Sequence, residues 1–342
     1  MKTALTYDDV LLVPQYSSIE SRKEVDIGNS LDYNRWLELP VISSPMDSVT
    51  EAKMAIAMAS VGALGVLHRY NNIEEQRRMV REFRLAMPNS FENIAAAVGI
   101  NDDYLDRAVA LHEAGCTIIC IDVAHGHHSL MERAIKSIKD RLGESAHIMA
   151  GNVATAEGYL DLASWGANSI RCNVGGGSIC STRIQTGHGL PGLQTILDCA
   201  SVKGQAKIIA DGGIRSSGDI VKAYAAGADF VMLGSLLAGT DETPGDIMTV
   251  GPFGTKEKVF RGMASKEAQM DWRGRFSSNE GIATKVAYKG PVRGVLDDLI
   301  NGIRSGFSYS GSRSMEEFKK KARFVRQTSA GLGESKTHIL GR

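Results

Sequence analysis

The sequence predicts an α/β protein of the (β/α)8 barrel class, a single domain spanning residues 1–342. Three observations carry that expectation. Eight short apolar runs, each too brief for a helix and rich in β-branched residues, alternate with amphipathic stretches. Four times a helical stretch ends at glycine and an apolar run follows at once: SVGALGVL, EAGCTIIC, SWGANSIR and AAGADFVM. Glycine, hydroxyl, acid and histidine residues gather directly after the runs, where the loops of a barrel carry function.

Taken in order, the first four strands are LPVI (39–42), ALGVL (63–67), IAAAV (94–98) and TIICI (117–121). HIMA (147–150), SIRC (169–172), KIIA (207–210) and FVML (230–233) complete the series. The clearest amphipathic helices are DDYLDRAVALHEAG (102–115) and SGDIVKAYAAG (217–227). Gly62, Gly115, Gly166 and Gly227 are expected as left-handed caps that stop a helix and turn the chain into the next strand. Eight strands joined by helical crossovers favour a closed barrel, although eight runs do not by themselves prove closure over an open sheet.

Composition narrows the function classes. The chain balances 39 basic against 39 acidic residues, so no charge excess points to nucleic acid or an anionic membrane. No apolar run approaches the roughly 18 residues of a membrane span. The N-terminus, MKTALTYDDVLLVPQ, has two aspartates where a signal peptide has its apolar core. Cys116, Cys120, Cys172, Cys180 and Cys199 form no CxxC pair and no zinc spacing. An odd, unpaired set fits a reducing cytoplasm, the expected location.

The loops after the runs then become the search list. NVGGGSICSTR (173–183) places Cys180, the strongest ordinary nucleophile, after Gly175, Gly176 and Gly177, with Ser178, Ser181, Thr182 and Arg183 around it. DGGIRSSGD and GSLLAGT follow runs seven and eight, the usual phosphate position of this fold. Gly212, Gly213, Gly234 and Ser235 offer backbone N–H groups there. Asp211, at a strand end, can accept two hydrogen bonds from a ribose diol, so a nucleoside monophosphate is the expected ligand. His125, His127 and His128 in DVAHGHH lack zinc spacing, and Asp122 is the better candidate for ligand contact.

Along the chain stand TYDDVLLVP (6–14), SSPMDSVTE (43–51), LGVLHRYNNIEEQ (64–76), GGGSICSTR (175–183), IIADGGIR (208–215), MLGSLLAGTDETPG (232–245) and FRGMASKEA (260–268). Through them the chain resembles the IMP dehydrogenase/GMP reductase family along nearly its whole length. The resemblance implies a (β/α)8 barrel and makes Cys180 the residue that attacks carbon 2 of a purine nucleotide to form a thioimidate. It implies nucleotide contacts from Ser44, Met46, Ser178, Asp211, Gly212, Gly213, Gly234, Ser235, Arg261, Gly262 and Met263. Cofactor contacts are implied for Asp122, Ala124 and Gly175, and a monovalent cation, potassium, for the loop at Gly175, Gly177 and Cys180. Asn173 and Gly176 depart from the family pattern, which has glycine and proline there. A homotetramer is implied by the resemblance alone.

Within the family the expectation is the reductase, which converts GMP to IMP and ammonia with NADPH. The alternative is an IMP dehydrogenase lacking its regulatory domain, and a third reading is a nucleotide-binding barrel without turnover. Between His68 and the third run there is room for one helical connection, and ASKEAQMDWRGRFSSN is short for a dehydrogenase flap. The flap is placed around 262–290, and a C-terminal tail from about 328. Arg275-Phe276 is a candidate remnant of the dehydrogenase Arg-Tyr pair. The resemblance pairs Thr182 with Glu280 for proton handling. Arg69 stands where the family usually has lysine, and its guanidinium holds charge rather than exchanging protons.

Overall fold

A computed structural model describes residues 3–90, 92–277 and 279–337. The eight runs form the eight strands of one closed parallel barrel. They are β1 (Val41–Ser43), β2 (Leu64–Leu67), β3 (Ile94–Val98) and β4 (Ile118–Asp122). β5 (His147–Val153), β6 (Ser169–Cys172), β7 (Lys207–Asp211) and β8 (Phe230–Leu233) follow, and β8 pairs back onto β1. Three strands run further than the apolar pattern predicts. β4 and β7 each end on an aspartate and β5 runs through Asn152 to Val153, so polar side chains sit on the rigid rim rather than in loops.

Alternation explains why the strands read as continuous apolar runs. Ile42, Val66, Ala97, Ile118, Met149, Ile209, Phe230 and Met232 fill the barrel interior. Their neighbours, such as Val41, Ile119, Ile148, Ile208 and Val231, pack outward under the helices. Both faces are therefore dry. Leu31 and Leu37 join the interior set, beside a short hairpin that pairs Asn29–Ser30 with Trp36–Leu37. Asp32, at the turn of that hairpin, accepts from His147 Nδ1 at the start of β5 (2.7 Å).

The outer layer consists of α1 (Ala52–Ala59), α2 (Ile73–Ala86), α3 (Tyr104–Glu113), α4 (Ser129–Leu142) and α5 (Ala156–Trp165). After the short α6 (Thr182–Thr186) come α7 (Gly192–Ser201) and α8 (Ser217–Ala225). The four expected caps hold: Gly62, Gly115, Gly166 and Gly227 have φ of 69°, 103°, 116° and 112°. Helix α2 alone bridges β2 to β3, with Asn72 and Glu75 forming a capping box at its start. Among the described residues no helix is long and apolar enough to cross a membrane.

The stretch expected as a flap, around 262–290, belongs to a longer folded excursion. It opens at β9 (Met248–Val250), continues through β10 (Thr255–Arg261) and α9 (Lys266–Arg273), and returns in β11 (Ala283–Ala287). The three strands form one antiparallel sheet. Helix α10 (Val292–Ser308) then closes the outer layer against α8, and α11 (Met315–Lys321) follows. The expected tail from about 328 is not bare chain: Thr328 caps helix α12 (Ser329–Glu334). Gln327 ties that end to the N-terminal segment through Asp8 and Asp9 carbonyls (2.7 and 2.9 Å).

Candidate active site

The loops at the carboxyl ends of the strands enclose a cavity of about 520 Å³. Cys180, Thr182, Glu280, Arg69, Ser44, Met46, Ser178, Asp211, Gly212, Gly213, Gly234 and Ser235 all line it, as do Gly262, Met263, Asp122, Ala124, Gly175 and Gly177. Among the residues expected to contact nucleotide or cofactor, Arg261 does not line it. Its guanidinium binds the Asp47 carboxylate (2.7 Å) and reaches Asp271, tying the loop after β1 to α9. It supports the wall of the cleft and does not face into it.

Cys180 sits where two distant segments meet. Its amide donates to Gly177 O (3.2 Å), closing the turn on itself. Ser181 N donates to Glu280 O and Ile282 N to Ile179 O, both at 3.0 Å, so the cysteine loop pairs like a short antiparallel strand with the end of the flap. Gly262 N joins by donating to Ile282 O (3.0 Å). Glycine is required at this junction, because a Cβ on Gly281 would lie 3.0 Å from Ser265 N. The Cys180 thiol donates to Thr182 Oγ1 at 3.1 Å. A nucleophile, a hydroxyl and a carboxylate from two remote segments thus share one wall.

The other cysteines are buried. Burial pushes the Cys116 and Cys120 thiols up to about 12, which removes them as nucleophiles at neutral pH. Two of the three clustered histidines have partners of their own. His127 Nε2 pairs with Asp161 (2.8 Å), and His128 Nδ1 accepts from Leu130 N (3.0 Å) at the start of α4. Among the described residues no three His, Cys, Asp or Glu side chains converge as metal ligands.

On the opposite wall, Gly212 and Gly213 take φ of 80° and 75°, a backbone that brings them close to the cysteine loop. A Cβ on Gly212 would lie 3.3 Å from Gly177, and one on Gly213 3.2 Å from Gly176 O. After β8, Leu237 N and Ala238 N both bond Gly234 O (3.0 Å). That is the geometry by which the first N–H groups of a helical turn are left for an outside acceptor.

Four side chains that sequence reasoning passed over complete the site. Arg171, in β6, is 6% exposed and points among the strand ends. Its Nε and Nη2 donate to Asp211 Oδ2 (3.0 and 2.8 Å), and its Nη1 to Asp122 Oδ1. Asn152 Nδ2 adds a third bond to Asp211 Oδ2 at 2.8 Å. Trp272 stacks on Tyr70 with centroids 4.1 Å apart, and the Arg69 guanidinium lies 5.6 Å from each ring. The available signal for Arg171 was a charge inside the otherwise apolar run SIRC. Nothing local marks the Tyr70–Trp272 stack, whose partners are about 200 residues apart in sequence.

The departures at Asn173 and Gly176 meet in space. Asn173 keeps a glycine-like φ of 152°, and its side-chain amide lies 2.0 Å from where a Cβ on Gly176 would stand. A side chain at 176 therefore requires the Asn173 amide to move from the place it holds here. The amide donates to Gly212 O (3.3 Å), stitching the cysteine loop to the turn after β7.

Comparison with known proteins agrees with this arrangement. The family model described as IMP dehydrogenase / GMP reductase domain matches residues 4–338. GMP reductase of Leishmania major is 32% identical, over 99% of this chain and 97% of its own. IMP dehydrogenase of Cryptosporidium parvum is 38% identical, over 98% of this chain and 94% of its own. A crystal structure of a cysteine-to-alanine variant of Trypanosoma brucei GMP reductase, in complex with guanosine 5′-monophosphate, superposes with a TM-score of 0.92 at 33% identity. That match covers 99% of this chain and 98% of the other. With a family match over residues 4–338 and relatives above 30% identity along nearly the whole chain, the chain belongs to the IMP dehydrogenase/GMP reductase family of oxidoreductases.

Proposed function

We propose that the protein is a GMP reductase that converts GMP to IMP and ammonia with NADPH. The observation that carries this reading is the junction of Cys180, Thr182 and Glu280, held together by the pairing of the cysteine loop with the end of the flap. Cys180 as thiolate adds to carbon 2 of the guanine, and the carbon 2 amino group leaves as ammonia, giving a thioimidate. An amino group departs only when protonated, so a general acid is needed within reach of that carbon. Thr182 hydroxyl, 3.1 Å from the sulfur, and the Glu280 carboxyl supply and relay that proton. A nicotinamide cofactor, when bound, supplies the hydride to carbon 2, after which the C–S bond breaks and Cys180 returns as thiolate.

The cleft fits both ligands. Asp211 has three donors on Oδ2, which leaves Oδ1 for a ribose diol, and the turns at Gly212-Gly213 and Gly234-Ser235 suit the phosphate. Asp122, Ala124 and Gly175 line the neighbouring part, flanked by Arg69, whose buried Nε faces Asp122 Oδ2 at 3.8 Å without a hydrogen bond, and by the Tyr70–Trp272 rings. A monovalent cation at Gly175, Gly177 and Cys180 does not fit as well. The Arg183 guanidinium donates to Val174 O (3.2 Å) and Leu190 O (2.5 Å) beside that turn, and its charge there disfavours a second cation. The same reading takes the enzyme as a single-domain cytoplasmic homotetramer, supported by the resemblance and the unpaired cysteines.

Chain length does not separate reductase from dehydrogenase. The alignment to the Leishmania reductase runs over 480 residues and that to the Cryptosporidium dehydrogenase over 385, so the shorter partner here is a dehydrogenase. The flap is the better discriminator. Arg275 and Phe276 stand outside the cavity lining, and Lys266 lies 5.0 Å over the Phe276 ring. A water-activating pair at that position would have to face the nucleotide. The dehydrogenase remains the second reading on the strength of the 38% identity. The test is to follow reduced nicotinamide absorbance with GMP and NADPH, and separately with IMP and NAD. Consumption in the first mixture with release of ammonia supports the reductase; activity only in the second overturns it.

A further inference from the structure

Arg171 is a single buried guanidinium shared by two carboxylates that line different parts of the cleft. Through Nε and Nη2 it holds Asp211, at the end of β7, and through Nη1 it holds Asp122, at the end of β4. β4 and β7 are not neighbours in the barrel, and β5 and β6 stand between them. Arg171 comes from β6 and Asn152 from β5, and both bond the same oxygen of Asp211. A buried guanidinium is tolerated only while its charge is compensated, so loss or reorientation of one carboxylate loads the other. Arg69 holds only the Asp122 side, with Nη2 on the Asp122 carbonyl at 3.3 Å.

We propose that Arg171 is a positioning residue that couples the two parts of the cleft, so that a ligand on Asp211 and a ligand on Asp122 bind with mutual dependence. This rests on the reading above, with the purine nucleotide on Asp211 and the nicotinamide nucleotide on Asp122. A ligand diol that draws Asp211 Oδ1 into hydrogen bonds fixes the carboxylate plane. Nε and Nη2 both grip the single oxygen Oδ2, so the position of that oxygen sets where the guanidinium sits, and with it the aim of Asp122. Thermodynamic linkage requires the coupling factor to be the same whichever ligand arrives first.

The test is a titration of GMP into four full-length proteins by calorimetry: wild type, Asp122→Asn, Arg171→Lys and the double variant. Lysine keeps the charge but loses the two-point grip. Asp122→Asn is expected to weaken GMP binding about fivefold or more in the wild-type background, the lower edge of usual coupling. In the Arg171→Lys background the same change should alter GMP binding by less than about twofold. An Asp122→Asn effect of equal size in both backgrounds, or none in the wild type, overturns the proposal. A merely structural Arg171 would lower the melting temperature of Arg171→Lys yet leave the two effects equal. Should Arg171→Lys fail to fold, Asp211→Asn replaces it: NADP+ binding must then weaken several-fold, and unchanged NADP+ affinity overturns the coupling. If wild-type protein binds no GMP, the nucleotide reading itself falls, an outcome seen in the first titration alone.

Discussion

At the scale of single residues, Cys180 differs from the other four cysteines by access and by partner. It is half-buried beside a hydroxyl, whereas the others are buried in strands or under a helix. Cys180→Ala is expected to abolish turnover while GMP binding stays within about tenfold of wild type, because truncation removes a bond formed only during reaction. Retained turnover in a clean preparation would end the covalent mechanism. Glu280→Gln keeps size and hydrogen bonding but not the titrating proton. Single-turnover measurements should show ammonia release slowed about a hundredfold or more, the usual scale of general acid catalysis. Oxidation of IMP to the covalent intermediate, which involves no amino group, should slow far less. Equal losses in both directions would mean that Glu280 organises the junction and moves no proton. The residue types at this junction were legible in the sequence. Arg171 was not, because its meaning depends on carboxylates 40 and 49 residues away meeting it at the rim.

At the scale of elements, strands and caps follow from local chemistry and the flap does not. Runs of β-branched residues ending in glycine-capped helices specify the barrel, since each strand and its neighbour are adjacent in sequence. Strands β10 and β11 are exposed along much of their length, so no apolar alternation announces them. The cysteine loop shows how one element absorbs a change in sequence. Asn173 fills the space that a side chain at 176 would need. Gly176→Ala alone is therefore expected to destabilise the protein by about 1–3 kcal/mol, the usual cost of overpacking. Adding Asn173→Gly should recover most of that loss, because it empties the contested space and relieves a positive φ. Denaturant melts of the two single variants and the pair give the coupling directly, and simple additivity would show that the two positions are independent.

At the scale of the molecule, the two ends of the barrel carry different burdens: chemistry at the carboxyl end of the strands, closure at the other. The closure was illegible in the sequence. Asp32 and His147 are 115 residues apart and neither belongs to a recognisable motif, yet they meet under the barrel, with His147 Nε2 also bonded to Ser169 Oγ (2.8 Å). Burial holds the His147 imidazole below its ordinary value, although Asp32 pulls it the other way. Burial pushes Asp32 up, but the hydrogen bond from His147 and the Arg35 charge outweigh it and hold the carboxyl low. The signs then follow. Below about pH 6.5 an unfolded chain takes up a proton that folded His147 resists, so stability is complete above that pH and is lost as pH falls. Asp32, depressed in the fold, adds its own loss only below about pH 4. Between those limits His147 should contribute a slope of up to about 1.4 kcal/mol per pH unit. His147→Gln can keep hydrogen bonds to both partners but has nothing to titrate. Its unfolding free energy, measured by denaturant between pH 7 and pH 4.5, should fall less steeply than that of the wild type. Parallel curves would show that the acid sensitivity of the fold arises elsewhere.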